Sequence, residues 1–329
     1  MTQRNSSFPL TRRAALAVLT SALAFGAAPR VALSSSPLDV VATTGMIADA
    51  AMRIGGTRAN VRALMGPGVD PHSYRQTRSD IVAMTRADLV LWHGLYLEAQ
   101  MEQFLADLGR KREVVAVADA LPEDLLLSHA DYAGRHDPHV WMVPTLWAQV
   151  LEGIPDLLAA QRPEAAEDFA ANWAAHKTEL AELDSYGSDV LSRVPEGQRV
   201  LLTAHDAFGY FGRAYGFEVI GIQGISTESE AGLNRIGELV DLLVERGIRA
   251  VFVESSVSDR NIRALVEGAG ARGHEVGIGG ELFSDAMGVP GTYEGTYLGM
   301  IDHNVTVIAG ALGADVDPRG RLGKLATGS

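Results

Sequence analysis

The sequence predicts an α/β protein of two lobes, each with a parallel four-stranded sheet flanked by helices, joined by one long bridging helix. Three observations predict it. From Leu38 short apolar runs alternate with amphipathic stretches, the βαβ rhythm of a parallel sheet. The longest helical pattern of the chain follows, Pro163 to about Val194, rich in Ala, Glu and Leu, with Pro163 near its start and Pro195 beyond its end, as helix punctuation requires. The βα rhythm then restarts. A chain of 329 residues accommodates two such units.

Taken in order, LDVVAT, NVRALM, DLVLWH and EVVAVAD read as the strands of the first lobe. MIADAAMRIGG, SDIVAMTRA and Glu98–Leu108 read as its helices, the first ending on a glycine. The rhythm breaks into a polar loop between Leu121 and Pro144, and a helix is expected from Pro144 to about Leu158. After the bridge, RVLLTA, FEVIGI, AVFVES and HEVGIG read as strands; Ala207–Tyr215, Glu228–Arg246, Asp259–Gly268 and Gly295–Leu312 read as helices. The expected organisation is an export signal over 1–28, an N-terminal lobe over 38–160, the bridging helix over 163–195, a C-terminal lobe over 198–314 and a loose, polar, Gly-rich tail over 315–329.

The signal rests on Arg12-Arg13 before the apolar run Ala14–Ala24, with small residues at Ala22, Ala24, Ala27 and Ala28. That run is too short to span a bilayer, and its Thr-Arg-Arg context is similar to a twin-arginine signal. A net charge of −13 argues against a nucleic-acid partner, which needs a basic surface. The chain has no cysteine. Disulfides, thiolate metal sites, cysteine nucleophiles and a lipid-modified cysteine are excluded together, so a metal site must use imidazole and carboxylate.

Of nine histidines, His176 reads as solvated on the long helix, and His274 and His303 as flanks of apolar runs. His129 and His136 lie in the polar loop. His93 closes a strand and could line a cleft. Three others stand where a strand hands over to a loop: His72 in GPGVDPHSY, His139 in HDPHVWMVP and His205 in LLTAHDAFGYF. Asp285 in GELFSDAMG follows the last strand. In parallel α/β sheets, ligands bind beyond the carboxyl ends of the strands, so all four are aimed at one edge. Pro71 and Pro138 restrict the backbone before two of the histidines. Asp70 and Asp137 stand ready for contacts behind the ligands. Three imidazoles and a carboxylate suit Zn²⁺ and accept Mn²⁺, whereas Ca²⁺ and Mg²⁺ prefer oxygen cages. Spacing alone leaves open one shared site or four unrelated loop residues.

The segments GPGVDPHSY, DPHVWMVP, AHDAFGYFGRAYGFEV, GISTESEAGL, VFVESSVSDRNIRALVE and LFSDAMG, in this order from about Val40 to Leu312, resemble the zinc- and manganese-binding solute receptors of bacterial ABC importers. The resemblance implies one metal in the interlobe cleft, held by His72, His139, His205 and Asp285, and delivery to the membrane permease of an importer. A histidine at 205, where manganese receptors usually place glutamate, implies zinc first and manganese second. The short loop Ser128–Asp137, Val143 in place of the family's usual Asp, and His93 in WHGL depart from the pattern. Export without a lipid anchor implies a soluble periplasmic monomer rather than an enzyme.

Two other readings compete. A periplasmic zinc hydrolase would need an open coordination position and a base, for which Asp206 is the candidate. A siderophore or corrinoid receptor of the same fold would use Trp92, Tyr96, Trp141 and Tyr293 as cleft walls.

Overall fold

The computed structural model describes Thr2, residues 36–128 and residues 134–326. The export signal expected over 1–28, save Thr2, and His129 lie outside these residues. Among the described residues no helix is long and apolar enough to cross a membrane.

The N-terminal lobe is a parallel sheet of β1 (Leu38–Ala42), β2 (Ala59–Ala63), β3 (Leu89–Trp92) and β4 (Val114–Ala116), in spatial order β2-β1-β3-β4. Val40, Ala42, Leu89 and Leu91 are buried, as befits strands covered on both faces. The connecting helices are α1 (Gly45–Gly55), α2 (Arg78–Arg86) and α3 (Glu102–Gly109). Thr44 caps α1, and Thr77 with Asp80 forms a capping box on α2. α3 begins four residues later than Glu98, because Gly94, Leu95 and Tyr96 take left-handed backbone in sequence, with φ of 86°, 51° and 68°. That turn is held by the buried carboxylate of Glu98, which accepts from the backbone N–H of His93 at 2.8 Å and the Thr43 hydroxyl at 2.6 Å.

The helix expected over Pro144–Leu158 is two helices, α4 (Pro144–Leu151) and α5 (Ile154–Gln161). Pro155 cannot donate to Leu151 and its ring opposes that carbonyl, so the chain starts a new helix around it. The bridging helix α6 (Ala166–Leu191) has 26 residues after a single 3-10 turn at Pro163–Ala165, about 39 Å at 1.5 Å per residue. Its buried stripe is Phe169, Trp173, His176, Leu180, Leu183, Gly187 and Val190, the three-and-four spacing of one helix face. His176, expected in solvent, lies on that stripe and is buried, with Nδ1 at 3.3 Å from Glu179.

The C-terminal lobe holds β5 (Val200–Thr203), β6 (Glu218–Gly221), β7 (Ala250–Glu254) and β8 (Gly277–Leu282), with helices α7 (Gly209–Tyr215), α8 (Leu233–Arg246), α9 (Arg260–Ala271) and α10 (Tyr297–Ala311). The strands form two parallel pairs, β5-β6 and β7-β8. β5 lies beside β7 without a shared ladder. At their carboxyl ends a side chain replaces the ladder bond: Glu254 accepts the backbone N–H of His205 at 2.8 Å.

α6 packs on α1, α4 and α5 of the first lobe and on α10 of the second. Gly187 permits the approach of α10, since a β-carbon there would stand 3.4 Å from Val305 Cγ2. A polar junction joins the same three elements. Asp49 on α1 accepts from the first N–H of α10, Tyr297 N, at 3.1 Å and from Arg53 Nε at 2.9 Å, and Arg53 reaches Glu179 on α6 at 3.3 Å. The tail expected to be loose from residue 315 is instead docked as far as 326. Asp302 accepts from Arg321 N at 2.9 Å, Glu294 accepts from Ala326 N at 2.8 Å, and Leu325 is buried. Polar composition misled here because the tail's backbone donors meet two carboxylates of the lobe.

Candidate metal centre

The carboxyl ends of the strands in both lobes face one buried cluster. His72 stands on the loop after β2, His139 on the loop after β4, His205 directly after β5 and Asp285 after β8. All four are at most 2% exposed. His139 is the hub: its Nε2 lies 3.4 Å from His72 Nε2, 3.3 Å from His205 Nε2 and 3.4 Å from Asp285 Oδ1. His205 Nε2 lies 3.3 Å from Asp285 Oδ2. One donor atom from each residue falls within 4.8 Å of all the others. A tetrahedron with metal–ligand bonds of about 2.0–2.1 Å has edges of about 3.3–3.4 Å. These four spacings match such edges, with Asp285 meeting His139 through one oxygen and His205 through the other, so the cluster is compact enough to close on one ion. Asp285 Oδ1 is buried without a hydrogen-bond donor, an arrangement that a cation would compensate.

Each ring is aimed by its neighbours. Asp137 accepts both the backbone N–H of His139, at 2.9 Å, and its Nδ1–H, at 2.7 Å. Glu254 does the same for His205, at 2.8 Å and 2.5 Å. Both pairings leave Nε2 facing the cluster and fix the tautomer a metal requires. Asp70 accepts His72 N at 2.9 Å and, from the other lobe, the Thr227 hydroxyl at 2.6 Å. Trp141 lies edge-on to His139 at 5.2 Å between centroids, and its Nε1 donates to Ser284 O at 2.8 Å. The loop bearing His139 is thereby tied to the loop bearing Asp285.

The structure brings together the four residues expected as donors, with Asp70 and Asp137 behind them; Glu254 was not anticipated, and Trp141 was expected only as a cleft wall. The available signal for Glu254 was an acid closing an otherwise apolar strand at the ligand edge. Of the other histidines, His274 and His303 bond backbone carbonyls of Ile248 and Glu281. His136 lines a small cavity together with His72 and Tyr96. The four aromatics considered as a cleft wall have separate engagements: Trp141 is core, Trp92 packs against the cluster of Val41, Met65 and Met84, Tyr293 bonds Asp302 at 3.1 Å, and Tyr96 lies under Arg135.

Charge in the cluster is divided unequally. Burial alone would push every imidazole down, and it holds His72 near 4. For His139 the carboxylates of Asp137 and Asp285 outweigh burial and raise it to about 9. Glu254 and Asp285 likewise raise His205 well above its ordinary value against the pull of burial. Although burial disfavours its charge, Asp285 is held well below the usual carboxylate range by those two rings. The carboxylates around His139 and His205 thus favour a proton on the metal-free centre, which a metal must displace from Nε2. Metal binding is expected to release at least one proton at pH 7, and apparent affinity to rise about 10-fold or more per pH unit through neutrality. Calorimetric titration in two buffers of different ionisation heat measures this directly. A release near zero would mean that both rings are already neutral. The fold responds with its own sign: His72, depressed to about 4, resists protonation that the unfolded chain accepts near 6.5. Stability from this group is present above that value and is lost as pH falls towards 4.

The family described as zinc-uptake complex component A, periplasmic (ZnuA), matches residues 40–311. The chain is 49% identical over 275 residues to the manganese-binding lipoprotein MntA of Bacillus subtilis, covering 84% of this chain and 90% of that one. It is 45% identical over 291 residues to the zinc-binding protein TroA of Treponema pallidum, covering 88% and 92%. The solved structure of that periplasmic zinc-binding TroA superposes with a TM-score of 0.82 at 44% identity, over 84% of this chain and 99% of the other.

Proposed function

This chain belongs to the periplasmic zinc-uptake component A family, and from that premise we propose that it is a metal receptor of an ABC-type importer, capturing one Zn²⁺ at His72, His139, His205 and Asp285. The observation that carries the reading is the buried cluster of four donors within 4.8 Å of one another, with His139 Nε2 3.3–3.4 Å from the other three residues. Manganese is the alternative cargo, and relatives of comparable identity are named for each metal. Three nitrogen donors favour zinc at equal availability, by the Irving–Williams trend. Domain limits follow from the same reading: lobes over 38–160 and 198–314 each contribute two donors, with the bridge between them.

Carriage rather than catalysis is supported by the donor count. A catalytic zinc keeps a position open for water, whereas four protein donors fill a tetrahedron. The absence of cysteine supports a receptor that works free in the periplasm, without a lipid-modified cysteine, and as a monomer that docks on a membrane permease. The lobes are joined by α6, by the Asp49 junction and by the Trp141–Ser284 and Thr227–Asp70 bonds. Metal exchange then proceeds through movement of the ligand loops more than through a wide hinge.

The test is elemental analysis of protein purified from periplasm, followed by competition between the two metals. One equivalent of zinc, and displacement of manganese by equimolar zinc, is the expected result. Less than a tenth of an equivalent of any divalent metal after loading would remove the reading. Preferential retention of manganese would reassign the cargo.

A further inference from the structure

His93 is buried beside the metal centre but is aimed away from it. It closes β3, and its backbone N–H donates to the buried Glu98 carboxylate at 2.8 Å. The ring is packed between two indoles: parallel to Trp147, with centroids 6.1 Å apart and planes at 15°, and edge-on to Trp141 at 5.0 Å. Its Nε2 lies 2.7 Å from the carbonyl oxygen of Pro138, whereas its Nδ1 is buried without a partner. A carbonyl can only accept, so Nε2 carries the proton and Nδ1 is the bare lone pair of a neutral ring. Every degree of freedom of this side chain is fixed, by main chain, stacking and one hydrogen bond, and that bond ends on one peptide.

That peptide joins Pro138 to His139, the ligand from which the other three are spaced at 3.3–3.4 Å. Asp137 fixes the ring of His139 and holds the N–H end of that peptide at 2.9 Å; His93 holds its carbonyl end. The Pro138 carbonyl is also the acceptor of Val140 N at 2.7 Å, the bond of a tight γ-turn centred on His139 (φ −78°, ψ 42°) that leads into the 3-10 turn Val140–Met142. Two donors on one oxygen pin the turn from both sides. Without His93 the carbonyl end of the peptide keeps only its local bond to Val140 N, and a tilt about the Asp137 anchor shifts His139 by tenths of an ångström, enough to disturb the donor spacing.

We propose that His93 is a positioning residue of the metal centre: by donating to Pro138 O it completes, with Asp137, the locking of the His139 backbone, holds His139 Nε2 in place among the other donors and thereby slows metal release and favours zinc over manganese. This inference rests on the proposed metal-receptor reading and deepens it. Partners behind a metal ligand typically change affinity by about 10–100-fold when removed. Glutamine places an amide nitrogen where the imidazole Nε2 stands, so it can restore the donor; leucine fills the space without one.

The experiment compares wild type, His93→Leu and His93→Gln, each loaded with zinc alone and with manganese alone. It measures dissociation rate by chelator chase, the ratio of zinc to manganese affinity, and the melting temperature of the metal-free protein. For His93→Leu, zinc release about ten-fold faster or more is expected, with manganese release changed much less, so that the selectivity ratio falls. For His93→Gln, both are expected within about three-fold of wild type. A lower metal-free melting temperature in both variants, with release rate and selectivity unchanged, would overturn the inference and leave His93 a packing residue. Equal acceleration in His93→Leu and His93→Gln would overturn it as well, because the donor would then be irrelevant. Failure of wild type to retain metal would instead defeat the receptor reading itself, an outcome distinct from both.

Discussion

His139→Ala is expected to abolish metal-dependent stabilisation. Wild type saturated with zinc at 1,000 times its dissociation constant gains about 4 kcal/mol, because metal selects the native state. Loss of the central donor removes one of four ligands and opens the three spacings of 3.3–3.4 Å that meet on it. A loss of about 1,000-fold in affinity leaves less than about 0.5 kcal/mol of stabilisation at the same concentration. Calorimetric melting with and without metal reads both values. A metal-induced rise in His139→Ala within about 1 kcal/mol of wild type would place the cation elsewhere. The analogous changes at His72 and His205 should also suppress the rise. The metal-free melting temperatures need not follow, because nearby carboxylates favour the protonated form of His139 and His205 whereas burial disfavours it for His72.

Trp141→Ala is expected to give the largest loss in the metal-free fold. The side chain is fully buried, lies edge-on to His93 and His139, and donates to Ser284 O in the other lobe. Its own carbonyl accepts the Tyr297 hydroxyl at 2.7 Å. Truncating a buried tryptophan costs about 3–5 kcal/mol through lost transfer energy and cavity. The abandoned Ser284 carbonyl adds about 1–3 kcal/mol if water cannot reach it. Trp141→Phe should recover most of the first term and none of the second. Denaturant midpoints of the three proteins separate the terms, and a loss below about 1 kcal/mol in Trp141→Ala would show that the core relaxes around the gap.

The strands and their order along the chain were legible because buried parallel strands are short apolar runs bounded by polar turns. The four donors were legible because each follows such a run, and the motif order chose between a shared site and four unrelated loop residues. What periodicity could not convey was pairing. Glu254 matters only because β7 lies beside β5, a relation fifty residues apart in sequence. His176 has the composition of a solvated position, next to Lys177, yet the 3.6-residue turn carries it onto the stripe with Trp173 and Leu180. The break at Pro155 was present in the sequence as a proline inside a helical pattern. The docked tail was not, since the carboxylates that receive it belong to α10 and the loop before it.

Positions 72 and 139 are 67 residues apart and 139 and 205 are 66 apart, so a bound cation stitches distant stretches of chain at a single point. In a chain without cysteine, it does what a disulfide does for many exported proteins, with one difference: the stitch is undone by handing over the cargo. Loaded and emptied receptors thus differ in topology as well as in composition. Protease resistance is expected to rise on loading and to fall on unloading, measured by limited proteolysis with and without metal.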